Sequence, residues 1–150
     1  MKFGGQETVR WKTDFDRLTV ARFMERDVQS ARPETTAAQI ASMMVEGFGA
    51  VPIVDKDQRL VGIVSEHDLL VSLEKGHPWA SLSAKDIMTP HPDSVRPETD
   101  LAALIRVLRA SGLIRVPVVV ADDKLVGIVA RRDIVRGYLN YDLAPPPSVS

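Results

Sequence analysis

The sequence contains no cysteine. Disulfide bridges and thiolate metal sites are therefore excluded, and a reducing compartment such as the cytoplasm is the default expectation. The N-terminal stretch MKFGGQETVRWKTDFDRL lacks the apolar core of a signal peptide. No stretch of the chain approaches the roughly 18 apolar residues that indicate a membrane helix. We therefore expect neither export nor insertion into a membrane.

An excess of charge of one sign is also missing. Lysine and arginine total 19, aspartate and glutamate total 20, and the formal net charge is −1. Such a chain has no global field that would hold nucleic acid or an anionic membrane. Nucleic-acid binding is therefore not expected, although the second half contains Arg106, Arg109, Arg115, Arg131, Arg132 and Arg136.

Groups that carry out catalysis are sparse. The three histidines, His67, His77 and His91, lack close metal-ligand spacing, and no glycine-rich phosphate loop with a lysine occurs. We therefore expect no enzyme activity, no protein metal site and no covalent cofactor.

The chain does contain an internal repeat. VPIV at 51–54 and LVGIV at 60–64 recur as VPVV at 116–119 and LVGIV at 125–129, an offset of 65 residues. RPET at 32–35 recurs at 96–99, an offset of 64, so the second copy has one inserted residue before its VPVV segment. With 45% hydrophobic residues, the 150-residue chain can bury one sizeable core.

Each copy predicts the same elements. Apolar residues at i, i+3, i+4 and i+7 indicate an amphipathic helix; they are Ala37, Ile40, Ala41 and Met44 in the first copy and Leu101, Leu104, Ile105 and Leu108 in the second. Gly47 and Gly112 end these helices, and the β-branched runs that follow predict a hairpin. A closing helix then begins at Ser65, or at about Ala130, and runs to Leu73 or Tyr138.

A copy of about 65 residues buries only part of its apolar surface alone, so the two copies should pack through their sheets with pseudo-twofold symmetry. The predicted fold class is mixed α/β, of the α+β kind. We divide the chain into an N-terminal extension (1–18), repeat 1 (19–74), a linker (75–82), repeat 2 (83–140) and a flexible tail (141–150).

The doubled pattern resembles the CBS domain family in its paired, or Bateman, arrangement. The resemblance rests on AKDIMTP at 84–90, the two Val-Pro strands and the two Gly-Ile-Val-x-x-x-Asp stretches, and it covers about residues 19–140. It implies a βαββα core with a leading segment in each repeat, two clefts, and frequent homodimers. Members usually bind AMP, ADP, ATP or related adenosyl ligands, and ATP can bring Mg²⁺. Many regulate another protein, which this sequence does not identify.

In the first repeat, residues 62–68 match the family pattern Gly-x-x-Ser/Thr-x-x-Asp. The resemblance implies that Asp68 accepts hydrogen bonds from ribose hydroxyls and that Ser65 approaches phosphate. A helix N-terminus also attracts phosphate. The same two residues fit a capping box, with Ser65 at the N-cap and Asp68 at N3, so a purely structural role stays open.

The second repeat departs from this pattern, because Ala130 replaces the hydroxyl residue. Asp133 therefore lacks a capping partner, while Arg131 and Arg132 offer planar donors to phosphate. The alternative is a solvated aspartate beside two surface arginines. We predict a phosphate-rich nucleotide at this site, and an adenosine-like ligand or vacancy at the first site, beside Glu66 and His67.

The adenine is expected to lie against the starts of the Val-Pro strands. The candidates are Ala50, Val51 and Pro52 in repeat 1 and Arg115, Val116 and Pro117 in repeat 2. Burial within the strand is the alternative for the valines.

A different class of function is an adaptor that dimerises or binds a partner and has vestigial nucleotide pockets. The aromatic candidates for such contacts are Trp11, Phe15, Trp79, Tyr138 and Tyr141, unless they pack within the chain.

Overall fold

The computed structural model describes residues 15, 17–47 and 49–143, the last two through their backbone only. The first copy contains a 3-10 turn (Val20–Arg22), α1 (Ala37–Val45), β1 (Ala50–Val54), β2 (Leu60–Ser65) and α2 (Glu66–Glu74). The second contains α3 (Ala84–Ile87), β3 (Thr89–Pro90), α4 (Leu101–Ser111), β4 (Arg115–Val120), β5 (Lys124–Ala130) and α5 (Arg131–Leu143). The predicted α+β class and the tandem repeats are confirmed.

Local sequence explains where the helices begin and end. Thr36 and Gln39 form a capping box at the start of α1, and the Asp100 carboxylate accepts the Ala103 N–H at 2.8 Å at the start of α4. Helix α4 ends at Gly112, whose φ of 70° is left-handed, as the glycine predicted. Helix α5 runs to Leu143, beyond the predicted end at Tyr138.

Each hairpin pairs its two strands in the same register. Ala50 lies opposite Ser65 between β1 and β2, and Arg115 lies opposite Ala130 between β4 and β5. The short first strand expected in each copy is a single parallel bridge, formed by Ala31 in one copy and by Val95 in the other. The start of each Val-Pro strand therefore lies beside the residue that precedes the closing helix.

The leading segments are exchanged between the two copies. β3, which follows α3, pairs with β2 of the first copy, and Glu25 forms an antiparallel bridge to Ile128 of the second. Chain order and packing order therefore differ, since the segment that begins each sequence copy completes the sheet of the other. Residue spacing could not indicate this exchange.

Two hydrophobic clusters form the core, and each contains a leading segment of the opposite copy. Val20 and Met24 pack with the second-copy group Leu101, Leu104, Leu108, Val116, Val118 and Val129. Ala84 packs with the first-copy group Ala31, Ala37, Ile40, Val51, Ile53, Val64 and Leu69. The predicted helix stripes are thus core-facing, since Ala37, Ile40, Leu101, Leu104 and Leu108 are buried.

Most of the aromatic candidates pack within the chain. Phe15 is buried, with its ring centroid 5.0 Å from that of Tyr138 and 5.2 Å from that of Tyr141. The Trp79 indole N–H donates to the buried Ser72 hydroxyl at 2.8 Å. Trp11 lies outside the described residues. None of the described helices is long and apolar enough to cross a membrane.

Candidate functional site

Asp68 lies in the first turn of α2 and closes the capping box that the sequence suggested. Its Oδ2 accepts the Ser65 N–H at 2.8 Å and the Ser65 hydroxyl at 3.0 Å, and its own N–H donates to that hydroxyl oxygen at 3.3 Å. All the carboxylate bonds found among the described residues use Oδ2. The structural role is therefore real, and Oδ1 remains available to a further donor.

Asp133 occupies the equivalent place at the start of α5. The expectation that it lacks a capping partner was wrong, because its Oδ2 accepts the Ala130 backbone N–H at 2.7 Å. That contact is the half of a capping box that needs no side chain at the N-cap, so an alanine can supply it. The two aspartates are thus anchored alike, although only one has a hydroxyl neighbour.

A groove of about 480 Å³ contains Asp133. The lining residues come from α5 and from the leading segment of the first copy; they are Leu18, Arg22, Phe23, Asp133, Arg136, Gly137, Asn140 and Tyr141. Two arginines, Arg22 and Arg136, therefore share the groove with one carboxylate. Both leading segment and helix are needed to form it.

A second groove, of about 410 Å³, contains Asp68. It is lined by His67, Asp68, Val71, Ser72, Lys75, His77, Leu82, Asp86 and Ile87. Most of these positions match the first groove at the repeat offsets: Asp68 corresponds to Asp133 and Val71 to Arg136 at 65 residues, while Asp86 corresponds to Arg22 at 64. The two grooves are therefore related by the pseudo-twofold symmetry.

The equivalent positions differ in charge. Asp86 replaces Arg22, and the N–H and hydroxyl of Ser83 donate to its Oδ2 at 3.0 and 2.8 Å. These hydrogen bonds, the backbone one first, hold the pKa of Asp86 below its ordinary value, so this carboxylate is charged at neutral pH. The Asp68 groove therefore contains two carboxylates and one lysine, whereas the Asp133 groove contains two arginines and one carboxylate.

Arg131 and Arg132 do not line the Asp133 groove. The Arg131 guanidinium donates through Nε to the Leu113 carbonyl at 3.1 Å and through Nη2 to the Gly112 carbonyl at 3.2 Å, at the C-terminal end of α4. Arg132 is exposed and lines neither groove. The cations that do share the groove are Arg22 and Arg136, which sequence reasoning missed. The spacing of three residues between Asp133 and Arg136 on one helix was the available signal.

The Val-Pro strands are deeply buried. The side chains of Val51, Pro52 and Val116 are almost fully enclosed, and Pro117 is buried too. The Pro52 and Pro117 carbonyls also accept hydrogen bonds, from the Ala31 and Val95 N–H groups at 3.0 Å each. Ala50 and Arg115 begin the two strands, next to Ser65 and Ala130.

Arg115 reaches across the boundary between the two repeats. A Cβ placed on Gly49 would lie 3.4 Å from the Arg115 Nε and 3.2 Å from a carboxylate oxygen of Glu66, so both side chains approach the chain just before β1. The Arg115 Nε is buried and has no hydrogen-bond partner among the described residues. A buried donor without a partner is costly, and a ligand acceptor could satisfy it.

None of the described residues form a cluster of three or more histidine, aspartate or glutamate side chains that could hold a metal ion. The candidate site is therefore a pair of polar grooves, each with one aspartate at a helix N-terminus, together with the Arg115 contact between the repeats.

Comparison with known proteins gives consistent results. The sequence pattern of the CBS domain matches residues 20–75 and 84–140. CBS domain-containing protein CBSX1, chloroplastic, of Arabidopsis thaliana is 31% identical over 81% of this chain and 64% of its own length. The uncharacterized protein MK0525 of Methanopyrus kandleri is 31% identical over 79% of this chain and 62% of its own. The chain thus spans less than two thirds of these relatives.

A solved structure of CBSX2 in complex with AMP, from the same plant, has a TM-score of 0.74 and 33% identity, covering 83% of this chain and 98% of that one. The match therefore extends over both repeats and both grooves. Since the family pattern covers most of the residues in each sequence copy, the chain belongs to the CBS domain family and contains a tandem pair of these domains.

Proposed function

We propose that this chain is a regulatory module that binds adenine nucleotides and changes its conformation or its partner contacts in response. The observation that carries the proposal is the Asp133 groove, where a carboxylate suited to ribose hydroxyls shares one surface with Arg22 and Arg136. Support also comes from the AMP-bound structure of the relative CBSX2.

In this proposal the ribose binds Asp133, the phosphates lie towards Arg22 and Arg136, and the adenine lies near Ala50 or Arg115. AMP, ADP and ATP are the candidate ligands, and Mg²⁺ would arrive with ATP rather than on a protein site. The Asp68 groove, with its additional charged carboxylate on Asp86, favours a weakly charged adenosyl ligand. Ser65 and Asp68 remain the candidate contacts there.

The exchange of leading segments supplies a physical route for regulation. Arg22 belongs to the first sequence copy and Asp133 to the second, yet they line one groove. A ligand that contacts both residues favours the arrangement in which they are close, and only such differential affinity can shift a conformational equilibrium. The regulated partner, a homodimeric state and a cytoplasmic location are further parts of the proposal.

Isothermal titration calorimetry with AMP, ADP, ATP, adenosine, GTP, S-adenosylmethionine and NAD tests the proposal. Asp133→Ala should weaken AMP binding about 10- to 100-fold, since a hydrogen bond to a charged group contributes about 1.5–3 kcal/mol. Arg22→Gln and Arg136→Gln should weaken AMP more than adenosine. Arg96→Gln, an exposed arginine outside both grooves, is the control.

An Asp68→Ala variant assigns affinity to the other groove. If Asp68→Ala abolishes ATP binding and Asp133→Ala does not, the proposed assignment of ligands is wrong. If none of these ligands binds at millimolar concentration, the nucleotide-binding proposal fails, and an adaptor with vestigial pockets is the better description.

A further inference from the structure

Two apolar stripes lie on the outer surface of the closing helices. Leu70 and Leu73 on α2 are 63% and 53% exposed, and Val135 and Leu139 on α5 are 67% and 55% exposed. Leu70 and Val135 occupy equivalent positions, 65 residues apart. Clustered exposed apolar side chains of this kind mark an interaction surface more often than isolated ones do.

Charge is segregated between the two helical pairs that present these stripes. Helices α1 and α2 contain no lysine or arginine, and exposed glutamates follow α1 at Glu46 and lie in α2 at Glu66 and Glu74. Helices α4 and α5 contain Arg106, Arg109, Arg131, Arg132 and Arg136, all exposed. The helical pair of repeat 1 is therefore an acidic face and that of repeat 2 a basic face, although the whole chain is nearly neutral.

The two faces also differ in shape. Between α4 and α5 lies an open, mainly apolar groove of about 470 Å³, lined by Ile105, Leu108, Arg109, Arg131 and Ile134. At the equivalent positions of repeat 1, Val45 replaces Arg109 and Glu66 replaces Arg131. Val45 is 87% exposed, so the acidic face carries a protruding apolar side chain where the basic face carries a cation beside an apolar groove.

We propose that the acidic face of one copy docks on the basic face of a second copy, in an antiparallel homodimer. A two-fold dimer of this kind repeats the complementary contact twice. A parallel dimer would instead place glutamates against glutamates and arginines against arginines, and such like-charge contacts disfavour association. The inference rests on the self-association included in the proposed function, but not on nucleotide binding.

Cysteine cross-linking reads the orientation directly, because the chain has no cysteine of its own. Glu74 and Leu139 are equivalent exposed residues, each about 12 Å along its helix from the first helical residue. The single variants Glu74→Cys and Leu139→Cys, one of them with a mass tag, are treated with a short bismaleimide separately and as an equimolar mixture after subunit exchange. We expect a cross-linked dimer from the mixture, containing one subunit of each kind, and none from either variant alone.

Charge reversal supplies an independent measurement. Glu66→Lys with Glu74→Lys makes both faces basic, and Arg109→Glu with Arg132→Glu makes both acidic. Each pair should raise the dimer dissociation constant about 100-fold, and all four changes in one chain should restore it to within a few fold. Lys56→Glu, an exposed change of the same kind in the first hairpin turn, should leave it unchanged.

The possible outcomes separate the orientation from the wider proposal. Cross-linking of each single variant with itself, and no weakening by either charge reversal, would identify a parallel dimer and overturn only the orientation. A wild-type monomer at high micromolar concentration by light scattering would overturn self-association altogether, whether solvent or the chain's own terminal segments cover the stripes. AMP titration of the same samples shows independently whether nucleotide binding holds.

Discussion

Replacing Gly127 with alanine should loosen the exchanged leading segment. Gly127 lies in β5, and a Cβ there would be 2.9 Å from the Glu25 carbonyl oxygen and 3.0 Å from the Met24 sulfur. Glu25 and Ile128 exchange two backbone hydrogen bonds, of 2.7 and 3.0 Å. The oxygen that the new methyl group meets therefore cannot retreat without breaking the bridge that joins the leading segment to the sheet.

Gly62 is the matched control, because it is the equivalent residue of the other hairpin. A Cβ there would collide with the Met88 side chain, and a flexible thioether can turn aside more easily than a hydrogen-bonded backbone. The entropic gain of Gly→Ala in the unfolded chain is common to both sites and cancels in the comparison. We expect Gly127→Ala to lower the free energy of unfolding by about 2–3 kcal/mol and Gly62→Ala by about 1 kcal/mol.

Urea unfolding with linear extrapolation measures both values, provided that the slope m is unchanged. For a chain of this size the Gly127→Ala loss corresponds to a melting temperature about 4–10 °C lower. AMP affinity should fall as well, since Arg22 lies on the loosened segment. Equal stability losses in the two variants would refute the reasoning, because the kind of atom that meets the methyl group would then not matter.

Three further predictions concern single contacts. Trp79→Phe removes the hydrogen bond to the buried Ser72 hydroxyl and should cost about 1–2 kcal/mol by urea unfolding; an unchanged midpoint would show that the bond contributes nothing. Ala130→Ser should raise stability by about 0.5–1 kcal/mol by completing a capping box, and a loss would contradict that geometry. Backbone N–H groups of its turn, that of Arg59 first, lower the pKa of Asp55, so its stabilisation is present above the unfolded-state pKa and is lost as the pH falls below about 4. Asp55→Asn should therefore flatten the acid side of the stability profile, and an identical acid limb would oppose this assignment.

Local sequence patterns predicted local features well. The apolar spacing in each copy identified α1 and α4 with the correct buried residues, and Ser65 with Asp68 identified a real capping box. These features depend on residues within one or two turns of each other, so spacing along the chain suffices to find them. The error at Asp133 has a similar scale, because it overlooked the backbone N–H of Ala130 as a donor.

Groove composition was beyond such patterns. Arg131 follows Ala130 directly and looked well placed for phosphate, but its guanidinium lies at the end of α4, on another side of α5. Arg22 is more than a hundred residues from Asp133 and yet shares its groove. Successive residues of a helix face different directions, and only the packing partners decide which of those directions opens on a ligand.

The sequence by itself determined that the chain is a pair of CBS domains, because the repeat, the Val-Pro strands and the Gly-Ile-Val-x-x-x-Asp stretches are patterns of adjacent residues. Only the tertiary structure decided that each leading segment completes the opposite sheet, and hence which charges meet in each groove. The physical reason is that an apolar segment such as Val20 to Met24 can be buried against either copy, and the hydrophobic effect that drives its burial carries no directional information.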